Sequence, residues 1–319
     1  MLTLSDFKQK KIIFVIKHQN FKNEIKFHNC NIRLYKGNEF VNQISCHLVL
    51  SIFIIGDCTI TSVLIRKVKE YGISIFLLNN SFQQYAEIMS VAEGNYALRE
   101  IQYCMGSKKI MELSKIFIKN KIINQFKILK RLDKNVGDEK LKQTLQTLES
   151  CKNVNQILGV EGAFSNYYFK NIFRDIGWYR RAPRTKEDIP NFLLDIGYTF
   201  LFNFIDSLLR LFGFDTYKGI YHQLFFQRKS LSCDVMEPIR CLIDYELVKA
   251  YNLGRINKKD FKFKNGRFSF KKYDIQKKYL DIWFDLIMKN KVEIYTYILE
   301  FYRYLLNPEK YKVPYFSPK

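Results

Sequence analysis

The spacing of apolar residues in this chain changes character once, near Glu93-Gly94-Asn95, and that change limits the folds open to it. Before it, apolar residues come in short runs suited to strands; from Ala97 onward they recur at helical spacing. Residues 11–17 (KIIFVIK) form a short apolar run flanked by lysines, and 31–35 alternate. Lys36-Gly37-Asn38 supplies turn chemistry before a further strand at 39–45. Residues 48–55 are almost wholly apolar, as in a strand buried on both faces. Thr59 or Thr61 can then cap a helix reaching Tyr71. Gly72 sits where a left-handed residue ends such a helix, and 73–78 return as a strand. The expected class is α+β: a small N-terminal mostly-β domain at 1–92, a linker at 93–97, and a larger all-α domain at 98–319.

Within the second half, Leu113, Ile116, Ile123, Phe126, Leu129 and Leu132 make one apolar helical stripe, with a basic opposite face. Asp188 can cap a long helix through Phe212, with Pro190 in its first turn. That helix is apolar nearly all round, but Asp195, Asn203, Asp206 and Arg210 interrupt it. A buried core helix therefore fits better than a membrane span, and the chain is expected to be soluble, cytoplasmic and independent of membranes. The basic, Pro-containing tail from Asn307 is expected to be mobile.

Charge points to the partner. The chain holds 52 Lys plus Arg against 31 Asp plus Glu, a net +21, which favours a polyanion: nucleic acid first, an anionic membrane surface second. The alternative is a lysine-rich composition inherited from an AT-rich genome. Residues 108–142 carry eleven Lys or Arg and four acids, which suits a DNA-facing or a merely solvated helix face. Residues 255–272 carry eight Lys or Arg and one acid, interleaved with Phe261, Phe263, Phe268 and Phe270, and Asn265-Gly266 marks a hairpin turn. Basic residues alternating with aromatics suit nucleic acid, and equally the packed face of one hairpin. The expected DNA contacts are Arg228, Lys229, Arg240, Lys258, Lys259, Lys262 and Lys264. Seven cysteines without a CxxC pair read as reduced thiols, with neither a disulfide framework nor a zinc cluster.

The chemistry concentrates in residues 219–240, GIYHQLFFQRKSLSCDVMEPIR. One of four histidines, His222, lies twelve residues before Asp234 and fifteen before Glu237. Two carboxylates three apart share a helical face, and a histidine from the preceding turn can join them at a divalent cation. A further carboxylate from elsewhere would complete the set, and Glu161 in ILGVEGAFSNYYF is the best candidate. Oxygen ligands with one imidazole suit Mg²⁺ or Mn²⁺ better than zinc. Asp234-x-x-Glu237 also fits a helix capping box, a purely structural device, in which Asp234→Asn would be nearly harmless.

ILGVEGAFSNYYF resembles the first signature of the CRISPR-associated adaptation integrases, which insert new spacers into CRISPR arrays. GFDTYKGIYH followed by RKSLSCDVMEPIR resembles their second, and RAPRTKEDIPNFLLDIGYTFL resembles an intervening segment through Asp188, Asn191, Leu193, Leu194, Gly197 and Tyr198. GDCTITSVLIRKVKEYGISIFLL resembles the family's glycine, helix and strand in the N-terminal half. Gln227, Phe164 and Lys229 depart from the pattern without removing a ligand. The resemblance implies metal ligands at Glu161, His222 and Glu237, with Asp234 as the adjacent catalytic acid. It also implies attack of a DNA 3′-hydroxyl on a phosphodiester of the repeat. It further implies a homodimer, mediated by the N-terminal domain, that sandwiches a small ferredoxin-fold adaptation subunit and binds double-stranded DNA, both incoming spacer precursor and CRISPR repeat. The rival functions are a metal-dependent nuclease of branched repair intermediates and a non-catalytic DNA-binding protein.

Overall fold

The computed structural model describes the chain except residues 1–6, 8, 18–20, 80–83, 90–94, 135, 223 and 224. Two compact units are present, Met1–Asn95 with Ser207–Phe214, and Tyr96–Asp206 with Asp215–Lys319. Of the expected linker, residues 93 and 94 lie outside the described residues, and a helix already begins at Tyr96.

In the first unit the order is β1 (Lys11–Ile16), β2 (Asn23–His28), β3 (Asn31–Lys36), β4 (Glu39–Ser45), β5 (Val49–Ile55), β6 (Cys58–Ile60), α1 (Ser62–Glu70), β7 (Ser74–Leu78) and β8 (Gln84–Ile88). One sheet runs β1-β5-β7-β8, the first three strands parallel and β8 antiparallel; the other runs β4-β3-β2-β6. Strand β5 lies between β1 and β7 and is buried along its whole length, which explains its unbroken apolar run. Phe14, Phe53 and Phe76 sit in register across these strands with ring centroids 5.0 and 4.9 Å apart. Ile25 and Ile32 from one sheet, Ile52 and Ile75 from the other, and Leu64 and Val68 of α1 share one core. Thr61 caps α1, accepting from Leu64 N at 3.2 Å, and Gly72 takes the left-handed φ of +71°.

The second unit is mainly helical: α2 (Tyr96–Tyr103), α3 (Ser107–Arg131), α4 (Asp138–Ser150), α5 (Val154–Ile172), α6 (Ile189–Phe212), α7 (Ser230–Met236), α8 (Cys241–Asn252), the hairpin β9 (Phe261–Lys264) and β10 (Arg267–Phe270), and α9 (Tyr273–Leu306). Asp188 caps α6, accepting from Asn191 N at 2.6 Å. The apolar window of α6 is long enough to cross a membrane, but 83% of it is buried inside the protein, as in a core helix. Gly197 allows α6 to approach its neighbours closely, because a Cβ there would meet Ile243 Cγ2 at 2.6 Å.

Two expectations are corrected here. Helix α3 is not a stripe with one basic outer face. Asn120, Lys121, Asn124 and Gln125 are buried beside Leu113, Phe117 and Phe126, so polar groups enter the interior along it. The tail is docked rather than free. Phe316 is buried, donates from its N–H to Asn120 Oδ1 at 2.9 Å, and its carbonyl accepts from Asn120 and Asn124 at 2.8 and 2.9 Å. Buried amides need partners, and the tail's backbone supplies them.

Candidate functional site

Helix α5 starts at an Asn153 cap and carries Glu161 at mid-length, its side chain only partly covered. Ser165, one turn on, donates to Glu161 Oε1 at 2.9 Å. Facing it from α3, the Lys121 ammonium pairs with Glu161 Oε1 and with Glu237 Oε2, the latter at 2.7 Å. Two glutamates far apart in sequence thus converge on one point.

The loop carrying His222 is shaped by Asp234. This carboxylate is fully buried and accepts from Ile220 N at 2.6 Å, Tyr221 N at 3.0 Å and His222 N at 2.9 Å. His222 Nδ1 lies 2.6 Å from Asp234 Oδ1. A carboxylate only accepts, so Nδ1 carries the proton and Nε2 keeps its lone pair for an electrophile. Gly219 is required here, since a Cβ would meet Ser230 Cβ at 2.5 Å and the His222 carbonyl at 2.8 Å. The capping-box reading of Asp234 is corrected: α7 begins at Ser230, its N-cap is Lys229, and Asp234 lies within the helix. Glu237 instead ends α7, with Pro238 beginning the turn to α8.

Glu237 is buried and receives Arg240 Nη1 at 2.9 Å besides Lys121. Burial pushes its carboxyl up, but Arg240 and then Lys121 outweigh that and hold it far below the carboxylate range. Burial alone would weaken the Lys121 ammonium, yet Glu237 and Glu161 keep its pKa above the ordinary lysine value. Arg240 also lies 4.4 Å over the Tyr198 ring. Tyr198 and Tyr168 both donate to the buried Asp244, Tyr168 at 3.0 Å, and burial raises Asp244 to about 6. The segment Asp188, Asn191, Gly197 and Tyr198 therefore buttresses the site: Asn191 Oδ1 holds Arg181 and the Ala182 N–H, and Tyr198 supports Arg240.

Among the described residues no three His, Cys, Asp or Glu side chains are gathered as a ready-made metal centre, because Lys121 stands between Glu161 and Glu237. The donor chemistry nevertheless fits a hard divalent cation. Glu237 Oε2 and the Tyr221 hydroxyl are buried without an aligned hydrogen bond, and His222 is locked in the tautomer that ligates through Nε2.

Of the expected DNA contacts, Arg228, Lys258, Lys259, Lys262 and Lys264 are exposed, whereas Lys229 reaches the buried Asp206 at 2.8 Å and Arg240 serves Glu237. The hairpin has an aromatic and a basic face. Phe261 and Phe270 pack near its base on Phe192 and Tyr279, while Phe263 pairs with Phe268 at 4.8 Å and stays 59% exposed. Sequence reasoning missed Lys121 and Asp244, and named Tyr198 only as part of a family-like segment. Only the buried polar run Asn120, Lys121, Asn124, Gln125 on an otherwise apolar helix side signalled the first.

Residues 18–284 match the family model described as CRISPR associated protein Cas1. A CRISPR-associated endonuclease Cas1 of Thermodesulfovibrio yellowstonii is 27% identical over 249 residues, 72% of this chain and 78% of that protein. A Cas1 protein from Thermotoga maritima has the same fold, with a TM-score of 0.81 at 16% identity, covering 97% of this chain and all of that one. A casposase bound to its integration product superposes with a TM-score of 0.81 at 18% identity, covering 97% of this chain and 94% of that one. With the family model spanning most of its length, this chain belongs to the Cas1 family of CRISPR-associated proteins.

Proposed function

We propose that the chain joins a 3′-hydroxyl of incoming DNA to a phosphodiester of a CRISPR repeat, using Mg²⁺ or Mn²⁺ held by Glu161, Glu237 and His222. Membership of the Cas1 family, whose relatives are named CRISPR-associated endonucleases, supports phosphodiester chemistry on DNA. The observation that carries the reading further is the convergence of Glu161 and Glu237 on one point beside an Asp234-oriented His222. In the reaction one P–O bond forms to the attacking oxygen and one breaks to the leaving 3′-oxygen, which takes up a proton, so no protein nucleophile is needed. A bound divalent ion supplies Lewis acidity at the phosphate and acidifies the attacking hydroxyl. Asp234 holds the imidazole in orientation, and Arg240 fixes the Glu237 carboxylate through Oε1, leaving Oε2 to face Lys121. Exposed lysines of the hairpin hold DNA through phosphates, without reading sequence.

The same reading gives the chain a homodimeric state and a small adaptation subunit as partner in the cytoplasm. A related Cas1 solved in a Cas6-RT-Cas1–Cas2 complex, at a TM-score of 0.76, supports it. Strand transfer of a labelled duplex into supercoiled repeat DNA tests the proposal. Glu161→Ala is expected to lose about two orders of magnitude in rate, as removal of a group acting on the transition state does, with DNA affinity within about twofold. A variant keeping more than about a tenth of the rate would undo the assignment. Cleavage of branched DNA without joining would favour the repair-nuclease reading.

A further inference from the structure

The group that closes the site is a lysine that the proposed reaction does not use. Lys121 projects from α3 with 5% of its surface exposed and pairs with one oxygen from each of Glu161 and Glu237. Lys121 and Glu237 form the floor, at 6% and 4% side-chain exposure, while Glu161 and His222 open towards solvent at 20% and 17%. Two carboxylates this close and this covered need a cation to remain charged together. Lys121 meets that need imperfectly: its ammonium is 2.7 Å from Glu237 Oε2, yet that oxygen has no aligned hydrogen bond. The Tyr221 hydroxyl, in the field of the same carboxylates, has no hydrogen-bond partner among the described residues. One ammonium thus serves two carboxylates, at the end of a flexible four-carbon stem that can withdraw.

We propose that Lys121 is a built-in counter-cation for the Glu161–Glu237 pair, which a divalent ion entering from the Glu161–His222 side must displace. The inference rests on the metal-dependent reading above. Lys121 then acts as a positioning residue: it keeps the two carboxylates charged and facing one another before loading, and it sets the metal concentration at which loading occurs. A doubly charged ion cannot share that space with the ammonium, because like charges in a covered site repel strongly.

The full chain, freed of metal with chelator, is titrated with Mn²⁺ by calorimetry, and its melting is followed with and without the ion. Wild type, Lys121→Met, Lys121→Gln, Lys121→Arg and Glu161→Gln are compared. Both neutral Lys121 variants are expected to bind Mn²⁺ about tenfold tighter or more, to melt lower without metal, and to gain more in Tm on loading than wild type does. Lys121→Arg, whose planar fork holds two carboxylates more firmly, is expected to bind more weakly. Equal or weaker Mn²⁺ binding by the neutral variants, in a protein whose binding Glu161→Gln abolishes, overturns the inference and leaves the metal reading standing. Should the neutral variants not fold, Lys121→Arg decides alone, and wild-type affinity in it overturns the inference. If wild type binds no Mn²⁺ that depends on Glu161, the metal reading fails and takes the inference with it.

Discussion

Asp234 spends every acceptor direction on the protein itself, three backbone N–H groups and one imidazole, and so shapes the site without belonging to its open face. Asp234→Asn, harmless were Asp234 a mere cap, is therefore expected to cost stability as well as activity. An amide nitrogen would face a backbone donor, at a cost of about 1–3 kcal/mol, and His222 would lose its orientation. Thermal unfolding and strand transfer measured on one preparation should both fall; wild-type stability with full activity would contradict the hydrogen-bond assignment. Asp244 makes a second, pH-dependent prediction. Its folded pKa is raised by burial to about 6 from an ordinary 3.8, so the folded state holds that proton more tightly than the unfolded one. Its contribution to stability is present below pH 3.8 and is lost as pH rises through the window to about 6. Glu237 has the opposite sign: held below its ordinary 4.5, it stabilises above that pH and loses its contribution as pH falls beneath it. Asp244→Asn should remove the first slope and keep the second. Its Tm deficit against wild type should then be larger near pH 4 than near pH 7, and a deficit constant with pH would refute the link.

At the scale of elements, the loop 219–222 is the part most sensitive to a single methyl group. Gly219→Ala would drive a Cβ against Ser230 and the His222 carbonyl, so His222 must move off Asp234. We expect a loss of about 1–3 kcal/mol from overpacking, together with strand-transfer activity reduced at least about tenfold; an active, stable variant would mean the loop relaxes freely. Elements with a clean period were legible in sequence: β1, β3, β4, β5, β7, α1 with its Thr61 cap, and α6 with its Asp188 cap. Strand β2 was hidden because Ile25 and Phe27 alternate with charges in a lysine-rich stretch, and β6 because three residues carry no period. The start of α7 was misplaced because Asp234-x-x-Glu237 satisfies the capping pattern locally, while the partners that claim Asp234 come from residues 220–222. Glu161, His222 and Glu237 were singled out through family resemblance, and the structure places Glu161 and Glu237 on one lysine. Lys121 was not, since a lysine among eleven basic residues reads as solvated until the facing helix is known.

For the molecule as a whole, a net charge of +21 makes association with a polyanion steeply dependent on salt. The exposed lysines 262 and 264 lie on the hairpin and 258 and 259 on the short helical turn just before it, so all four can be removed without touching Glu161, His222 or Glu237. Replacing all four should flatten the log–log salt dependence of DNA binding by about 0.9 for each phosphate that is no longer neutralised. An unchanged slope would assign the hairpin to another surface. The docked tail matters for anyone preparing this protein. Asn120, which adjoins Lys121 on α3, pairs with the backbone of Phe316 in both directions, Asn124 donates to the carbonyls of both Phe316 and Pro238, and Lys127 donates to Ser317 at 3.1 Å. A sample clipped before Pro314, or one whose purification handle pulls this strap away, would take from Asn120 its Phe316 partners and leave Asn124 with the Pro238 carbonyl alone. Such a sample would disturb the stretch of α3 that carries Lys121, although Glu161, His222 and Glu237 were untouched.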